Sequence, residues 1–155
     1  MIHRLLARPA LALFALLLAI PAPPARAGEI EVLGPTLRLP PFEGGNGALF
    51  LTLVNHGPAD RLIAAAIPGT RVTELHTHGR DGDVMRMRRV EAIALPADGR
   101  AELRPGGDHI MAIGLSPLPP PGRTVTVTLT FAQAGTRTVE AVTASPAPAH
   151  GHDGK

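Results

Sequence analysis

The residues best suited to chemistry in this sequence are histidines and methionines that lie close together along the chain. Three of the four methionines and three of the seven histidines fall between positions 76 and 111: His76, His78, Met85, Met87, His109 and Met111. A single methionine usually fills an irregular gap in a core, but such fillers would be spread over all the strands. Clustered imidazole and thioether groups instead indicate a site for a soft metal ion.

The spacing of four of these residues would place them around one ion. His109 and Met111 are two residues apart, so on a strand both side chains leave the same face, with Cα atoms roughly 7 Å apart. His76 precedes a predicted turn at 79–83 and Met87 follows it, so a hairpin would bring these two side by side. We therefore predict a metal site formed by two imidazoles and two thioethers: His76, Met87, His109 and Met111.

The donor set favours monovalent copper. Thioether sulfur is soft, uncharged and has no proton to lose, so it binds Cu(I) in preference to Zn(II), Mg(II) or Ca(II), and imidazole completes a four-coordinate site. The sequence has no cysteine, which excludes disulfides, thiolate zinc sites, iron–sulfur clusters and the His2Cys site of a blue copper protein. The alternative is that these are polar histidines at a strand end beside packed methionines.

Four further residues are candidate auxiliary ligands. His78 and Met85 flank the predicted site, and the alternative for them is a solvated histidine and a packed methionine. His150 and His152 add two imidazoles near the C-terminus beside a carboxylate. Because imidazole with carboxylate suits Cu(II) better than thioether does, we predict a second, weaker Cu(II) site there, the alternative being an ordinary polar tail.

The first 27 residues have the pattern of a secretory signal peptide. A positively charged start precedes a Leu/Ala-rich run over residues 10–20, and residues 25–27 form an A-x-A cleavage site. Prolines from position 21 onward end the apolar run too early for a transmembrane anchor, which needs roughly 20 apolar residues. We therefore expect cleavage after Ala27, export, and no stable membrane insertion of the mature protein.

Charge and composition exclude two function classes. Removing residues 1–27 takes away three of the 15 basic residues and none of the 13 acidic ones, which leaves a formal charge of −1. With no Tyr, no Trp and no basic stripe, the mature chain lacks the electrostatic and stacking surfaces of a nucleic-acid binder. It also lacks the G-x-S-x-G and H-E-x-x-H motifs, and we expect no catalytic residues and no enzymatic activity.

Short β-rich segments separated by turns make up the rest of the chain, without any long segment of helical periodicity. The predicted strands are 29–32, 48–54, 62–67, 71–78, 84–90, 101–103, 108–115, 124–131 and 136–142. This pattern predicts an all-β Greek-key sandwich in a single domain over residues 28–144. Residues 145–155 have no apolar face to bury, and we expect a flexible tail there.

The predicted ligands also follow a known motif. His76, Met87, His109 and Met111 fit the pattern H-x10-M-x21-H-x-M, and the sequence around them resembles the PCuAC family of periplasmic copper chaperones over about residues 48–142. The matching segments are 74–76, 84–88, 103–107 and 109–111. The sequence departs from the family pattern in the loop 40–47 and at Phe50, where Tyr is common.

The resemblance implies a cupredoxin-like sandwich whose solvent-accessible Cu(I) site uses those four residues as ligands. It also implies delivery of copper toward the dinuclear copper centre of cytochrome c oxidase. The partner would be the copper-site subunit of that oxidase or another thiol-bearing copper-transfer protein, and we expect a periplasmic monomer. Two alternatives remain: a copper sequestration or resistance protein with the same ligands, and a structural β-sandwich without metal.

Overall fold

The computed structural model describes residues 28–82 and 84–146, without the side chains of Arg80 and Asp81. Its strands are β1 (Glu29–Arg38), β2 (Gly47–His56), β3 (Asp60–Ala66), β4 (Val72–Asp81), β5 (Val84–Val90), β6 (Ile93–Leu95), β7 (Arg100–Leu103), β8 (His109–Ile113), β9 (Thr124–Phe131) and β10 (Gly135–Ala144). The predicted signal peptide and the histidines of the predicted tail site, His150 and His152, lie outside the described residues. Within the described residues, no helix is long and apolar enough to cross a membrane.

The strands form one hydrogen-bonded sheet that folds over on itself. Their order is β5-β4-β8-β2-β1-β10-β9-β3-β6, and β7 pairs with the second half of β2. Strand β1 joins the two halves, because it pairs antiparallel with β2 and, near its end, parallel with β10. Across the fold, β3 lies against β4 and β6 lies against β7. The prediction of an all-β fold is confirmed.

Alternating side chains decide which surface of each strand faces the core. In β2, Leu49, Leu51 and Leu53 are buried, while Phe50 and Thr52 between them point to the opposite face. Strands from both halves of the sheet contribute to one apolar core. Burial of each such leucine contributes on the order of 2 kcal/mol, so this core is a major source of the stability of the sandwich.

Asp60 fixes the start of β3 to the turn between β9 and β10. Its buried carboxylate accepts hydrogen bonds from the backbone N–H groups of Arg61 at 2.7 Å, Gln133 at 2.9 Å and Ala134 at 2.8 Å. Burial acts to raise the pKa of Asp60, but the backbone hydrogen bonds together lower it below its ordinary value. The carboxylate is therefore ionised at neutral pH.

Strands β1 and β4 continue past their predicted ends at residues 32 and 78. Strand β1 continues beyond residues 29–32 because a bulge, with a register shift between Leu33 and Thr36 and a φ of +58° at Gly34, lets pairing resume after an irregular step. Strand β4 continues beyond residue 78, and its hairpin with β5 closes between residues 81 and 84. The turn is therefore tighter than the predicted one at 79–83, and this changes which residues lie opposite each other.

Candidate metal centre

Three neighbouring strands, β5, β4 and β8, carry the histidines and methionines on one face. The cross-strand pairs are His78 with Met87, His76 with His109, and Glu74 with Met111. Residues directly opposite each other on antiparallel strands point to the same side, so all six side chains share a face. Leu75 and Ile110, on the other side of β4 and β8, are buried in the core. The shared face is therefore the outer face of the sheet.

The hairpin register differs from the sequence prediction. Met87 lies directly opposite His78, whereas the residue opposite His76 is Arg89. His76 and Met87 are thus diagonal neighbours, a relation in which Cα atoms are typically about 7–8 Å apart. The longer β4 causes this difference, because the first residue of β5, Val84, pairs with Asp81 rather than with a residue near His78.

A groove of about 520 Å³ opens over this face. His78, Met87, His109 and Met111 line it together with Phe50 and several prolines, whereas His76 lies beside the groove and does not line it. The centroid of the Phe50 ring is 6.3 Å from that of the His109 ring. The Arg38 guanidinium also contacts Phe50 and lies 5.4 Å from the ring centroid. The groove therefore offers nitrogen and sulfur donors within a largely apolar wall.

His109 is the central imidazole of the group. It is only 3% exposed, and its ring centroid lies 5.2 Å from that of His78 and 5.8 Å from that of His76. Burial lowers the pKa of His109, the neighbouring His78 and His76 lower it further, and the hydrogen bond to Gly107 and the nearby Asp108 oppose this shift. His109 is therefore neutral at physiological pH, the form in which imidazole binds metals.

A single backbone carbonyl orients two of the imidazoles. The Gly107 oxygen lies 3.0 Å from Nδ1 of His109 and 3.1 Å from Nδ1 of His78. Because a carbonyl oxygen can only accept, both Nδ1 atoms carry the proton and donate it, which leaves each Nε2 with a free lone pair. Such hydrogen bonds fix the tautomer and ring orientation of metal-binding histidines.

The turn before β8 holds that carbonyl in place. Gly107 N donates to the Arg104 oxygen at 3.0 Å, with Pro105 and Gly106 between them and a φ of +76° at Gly106. A proline followed by a residue with positive φ is typical of a type II turn. The Pro105-Gly106 pair, which precedes His109 with two residues between them, is a sequence signal for this turn, but it gives no sign of a contact with the imidazoles.

His76 is held in a different way. Its Nε2 donates to Glu74 Oε2 at 2.8 Å, and Glu74 Oε1 lies 3.7 Å from Nη1 of Arg89. With its proton on Nε2, the imidazole has its lone pair on Nδ1, which is buried and has no hydrogen-bond partner. An unsatisfied buried acceptor costs about 1–3 kcal/mol. The arrangement therefore fits a ligand that would occupy Nδ1, with the Glu74 carboxylate behind the ring.

Comparison with known proteins identifies the fold family. The family model described as "Putative lipoprotein LpqE-like" matches residues 30–143. A solved structure described as the copper-bound PCuAC domain from PmoF2 is 30% identical, with a TM-score of 0.67 over 77% of this chain and 96% of that one. The chain belongs to the PCuAC domain family.

Two other solved PCuAC-type structures agree with this assignment. The Cu(I) form of DR1885 from Deinococcus radiodurans is 29% identical, with a TM-score of 0.57 over 80% of each chain. The apo PCuAC domain from PmoF1, at 22% identity and a TM-score of 0.65 over 77% of this chain and 97% of that one, supports the fold. No curated protein sequence matches the chain. The resemblance inferred from the motif and the expectation of a cupredoxin-like fold are both confirmed.

The methionines of this PCuAC domain differ in their exposure. Met111 is partly buried, Met87 is 46% exposed, and Met85 is 55% exposed and does not line the groove. In the described part of the chain, no group of three His, Asp or Glu side chains is arranged to hold a metal ion. Thioether sulfurs and imidazoles nevertheless lie on the same face of the sheet.

Proposed function

We propose that this PCuAC domain is a copper chaperone that binds Cu(I) through His76, Met87, His109 and Met111. The observation that carries the proposal is the convergence of imidazole and thioether donors on one face, with the buried Nδ1 of His76 lacking any partner. The donors are neutral and soft, which favours Cu(I) over harder divalent ions. The relatives named for their bound copper support the same conclusion.

Different residues of the protein would contribute in different ways to binding the ion. Glu74 and Gly107 orient the imidazoles by accepting their N–H protons, so that the nitrogen lone pairs are available before copper arrives. Met87 and Met111 add sulfur without adding charge, which favours the lower oxidation state. The apolar groove wall limits water at the ion, while its open side leaves a path for an acceptor.

Transfer would proceed by exchange of ligands without a change of oxidation state. An acceptor thiol loses its proton to solvent, and its thiolate forms a bond to Cu(I) as the bond to one thioether breaks. Met87 is the first to leave in this scheme, because it is the more exposed of the two methionines. An imidazole leaves later, and the stronger thiolate–copper bond makes the overall exchange favourable.

The acceptor in this proposal is the copper-site subunit of cytochrome c oxidase or another thiol-bearing copper-transfer protein. Export through a signal peptide over residues 1–27 would place the monomeric protein in the periplasm. Its role there is to bind and pass on copper, with no catalytic step. The tail with His150 and His152 would provide the second, weaker Cu(II) site. Truncation after Ala144 is expected to abolish Cu(II) uptake while Cu(I) binding persists, as measured by metal titration.

Anaerobic Cu(I) titration with X-ray absorption at the copper edge tests the binding proposal. We expect one Cu(I) per chain with both nitrogen and sulfur neighbours. No stoichiometric copper, or a set of nitrogen and oxygen ligands alone, would contradict it. Mixing the loaded protein with an apo acceptor that carries a dithiol then separates a chaperone, which gives up its copper, from a sequestration protein, which keeps it.

A further inference from the structure

His78 lies outside the four-residue motif, yet its position matches that of a ligand. It is directly opposite Met87 on the neighbouring strand, and its ring centroid is 5.2 Å from that of His109. It lines the groove with Met87, His109 and Met111. Its Nδ1 donates to the same Gly107 carbonyl as Nδ1 of His109, so Nε2 of His78 keeps a free lone pair.

His76 and His78 therefore occupy different sides of His109. His76 is opposite His109, does not line the groove, and has its available nitrogen in a buried position. His78 is the groove-side imidazole and the direct neighbour of the exposed Met87. Cu(I) takes no more than four ligands in such a site, so three imidazoles and two thioethers supply one donor more than the ion can use at once.

We propose that His78 is an exchange ligand, which replaces His76 on Cu(I) as the ion moves between its bound position and the open side of the groove. The inference rests on the proposed Cu(I) function and adds a route by which copper enters and leaves. In the bound position the nitrogen donors are His76 and His109, and on the groove side they are His78 and His109. One Cu–N bond forms as the other breaks, and copper remains Cu(I) throughout.

Either imidazole should therefore complete the pair of nitrogen ligands when the other is missing, with lower affinity than the wild type, and the two should differ in how they affect release. Residues that act as a unit give non-additive effects when they are substituted together. The informative variants are His76→Gln, His78→Gln and the double variant. Glutamine retains an N–H donor for Glu74 or Gly107 but lacks a nitrogen lone pair for copper. His56→Gln is the matched control, because His56 is an exposed histidine that contacts Glu31 at 3.5 Å on another part of the sheet.

The test uses the whole purified protein loaded with Cu(I) under anaerobic conditions. X-ray absorption counts the nitrogen and sulfur neighbours, chelator competition gives the Kd, and stopped-flow mixing with a chromophoric Cu(I) chelator gives the release rate. We expect two nitrogens and two sulfurs in each single variant, and one nitrogen in the double variant with a Kd roughly 100-fold above wild type. Release should be slower in His78→Gln than in the wild type, because the groove-side ligand is missing.

Other results would overturn the inference. It fails if His76→Gln already reduces the count to one nitrogen, if the double variant binds as tightly as His76→Gln, or if His78→Gln releases copper as fast as His56→Gln. Circular dichroism identifies any variant that does not fold, and His76→Asn and His78→Asn then replace the glutamine variants. A wild-type protein that takes up no Cu(I) would instead contradict the proposed function itself.

Discussion

The carboxylate behind His76 allows a quantitative prediction about copper affinity. Glu74 accepts the Nε2 proton of His76 at 2.8 Å, and its side chain is only 24% exposed. A charge-assisted hydrogen bond contributes about 1.5–3 kcal/mol, against about 0.5–1.5 kcal/mol for a neutral one. Replacing the carboxylate by an amide in Glu74→Gln should therefore weaken this support by about 1 kcal/mol while keeping an acceptor oxygen of similar shape.

The weakened support acts on copper because the hydrogen bond makes the opposite ring nitrogen, Nδ1, a stronger donor. Loss of such a partner typically lowers metal affinity by 10–100-fold. We expect the Kd for Cu(I) to rise roughly tenfold in Glu74→Gln, which corresponds to about 1.4 kcal/mol. Glu74→Ala also removes the restraint on ring orientation, so its Kd should rise further, but not beyond that of His76→Gln, because His78 can replace His76 on the ion.

Glu31 offers a matched control on the same protein. It also approaches a histidine Nε2, that of His56, but at 3.5 Å and on the exposed surface. Chelator competition under anaerobic conditions should show that Glu31→Gln binds Cu(I) as the wild type does. Equal Kd values for Glu74→Gln and Glu31→Gln would refute the reasoning, as would tighter binding by Glu74→Gln. Loss of one nitrogen neighbour from the copper spectrum of Glu74→Gln would contradict the replacement of His76 by His78.

Three further predictions concern the thioethers, the turn and the buried carboxylate. Met111→Leu keeps the apolar volume, so it should cost less than about 1.5 kcal/mol of stability and remove one sulfur from the copper X-ray absorption spectrum. Gly106 and its control Gly122 both have a positive φ, and a Cβ added at either would meet no atom within 4 Å. Gly106→Ala and Gly122→Ala should therefore each lower the free energy of unfolding by about 1–2 kcal/mol, as measured with denaturant. Only Gly106→Ala should also weaken Cu(I) binding. Asp60→Asn should lower the free energy of unfolding by about 1–3 kcal/mol at pH 7. Because the pKa of Asp60 is lowered in the folded state, its carboxylate stabilises the folded protein above about pH 4, and this stabilisation is lost as the pH falls through the folded-state pKa. In denaturant unfolding, the difference in free energy between Asp60→Asn and the wild type should therefore be constant near neutral pH and smaller in acid.

The sequence predicted the fold class and the clustered donors because both depend on local patterns. Alternation in β2 and β9 and a turn after nearly every strand are sufficient for an all-β sandwich. The two-residue spacing of His109 and Met111 is enough to place them on one face. Tertiary relations were harder to predict: the register that sets Met87 opposite His78 depends on β4 continuing to residue 81, three residues past its predicted end.

The two hydrogen-bond acceptors that orient the imidazoles, the Gly107 oxygen and Glu74, could not be predicted either, because their roles also depend on the tertiary structure. The Gly107 oxygen is a backbone atom, so residue type carries no sign of its role. That role arises only when the turn after β7 is brought over β4 by the pairing of β4 with β8. Glu74 lies two residues before His76, and this spacing puts both on one face of β4, but an alternating strand offers many such pairs. The missing partner of Nδ1 in His76 distinguishes this pair, and only the structure reveals it.

The imidazoles and the thioethers differ in how firmly the structure holds them, and this difference would affect how Cu(I) leaves the proposed site. Each of the three imidazoles has its N–H fixed by an acceptor, Gly107 O or Glu74, so its lone pair has a set direction. Among the described residues, no hydrogen bond holds either thioether, and the methionine side chain adapts readily to changes in its surroundings. Because Met87 is also exposed on β5, an edge strand of the sheet, it can follow the ion or leave it with little disturbance. A site with rigid nitrogens and one mobile sulfur would hold Cu(I) in a defined place, yet open on the side from which an acceptor thiolate approaches.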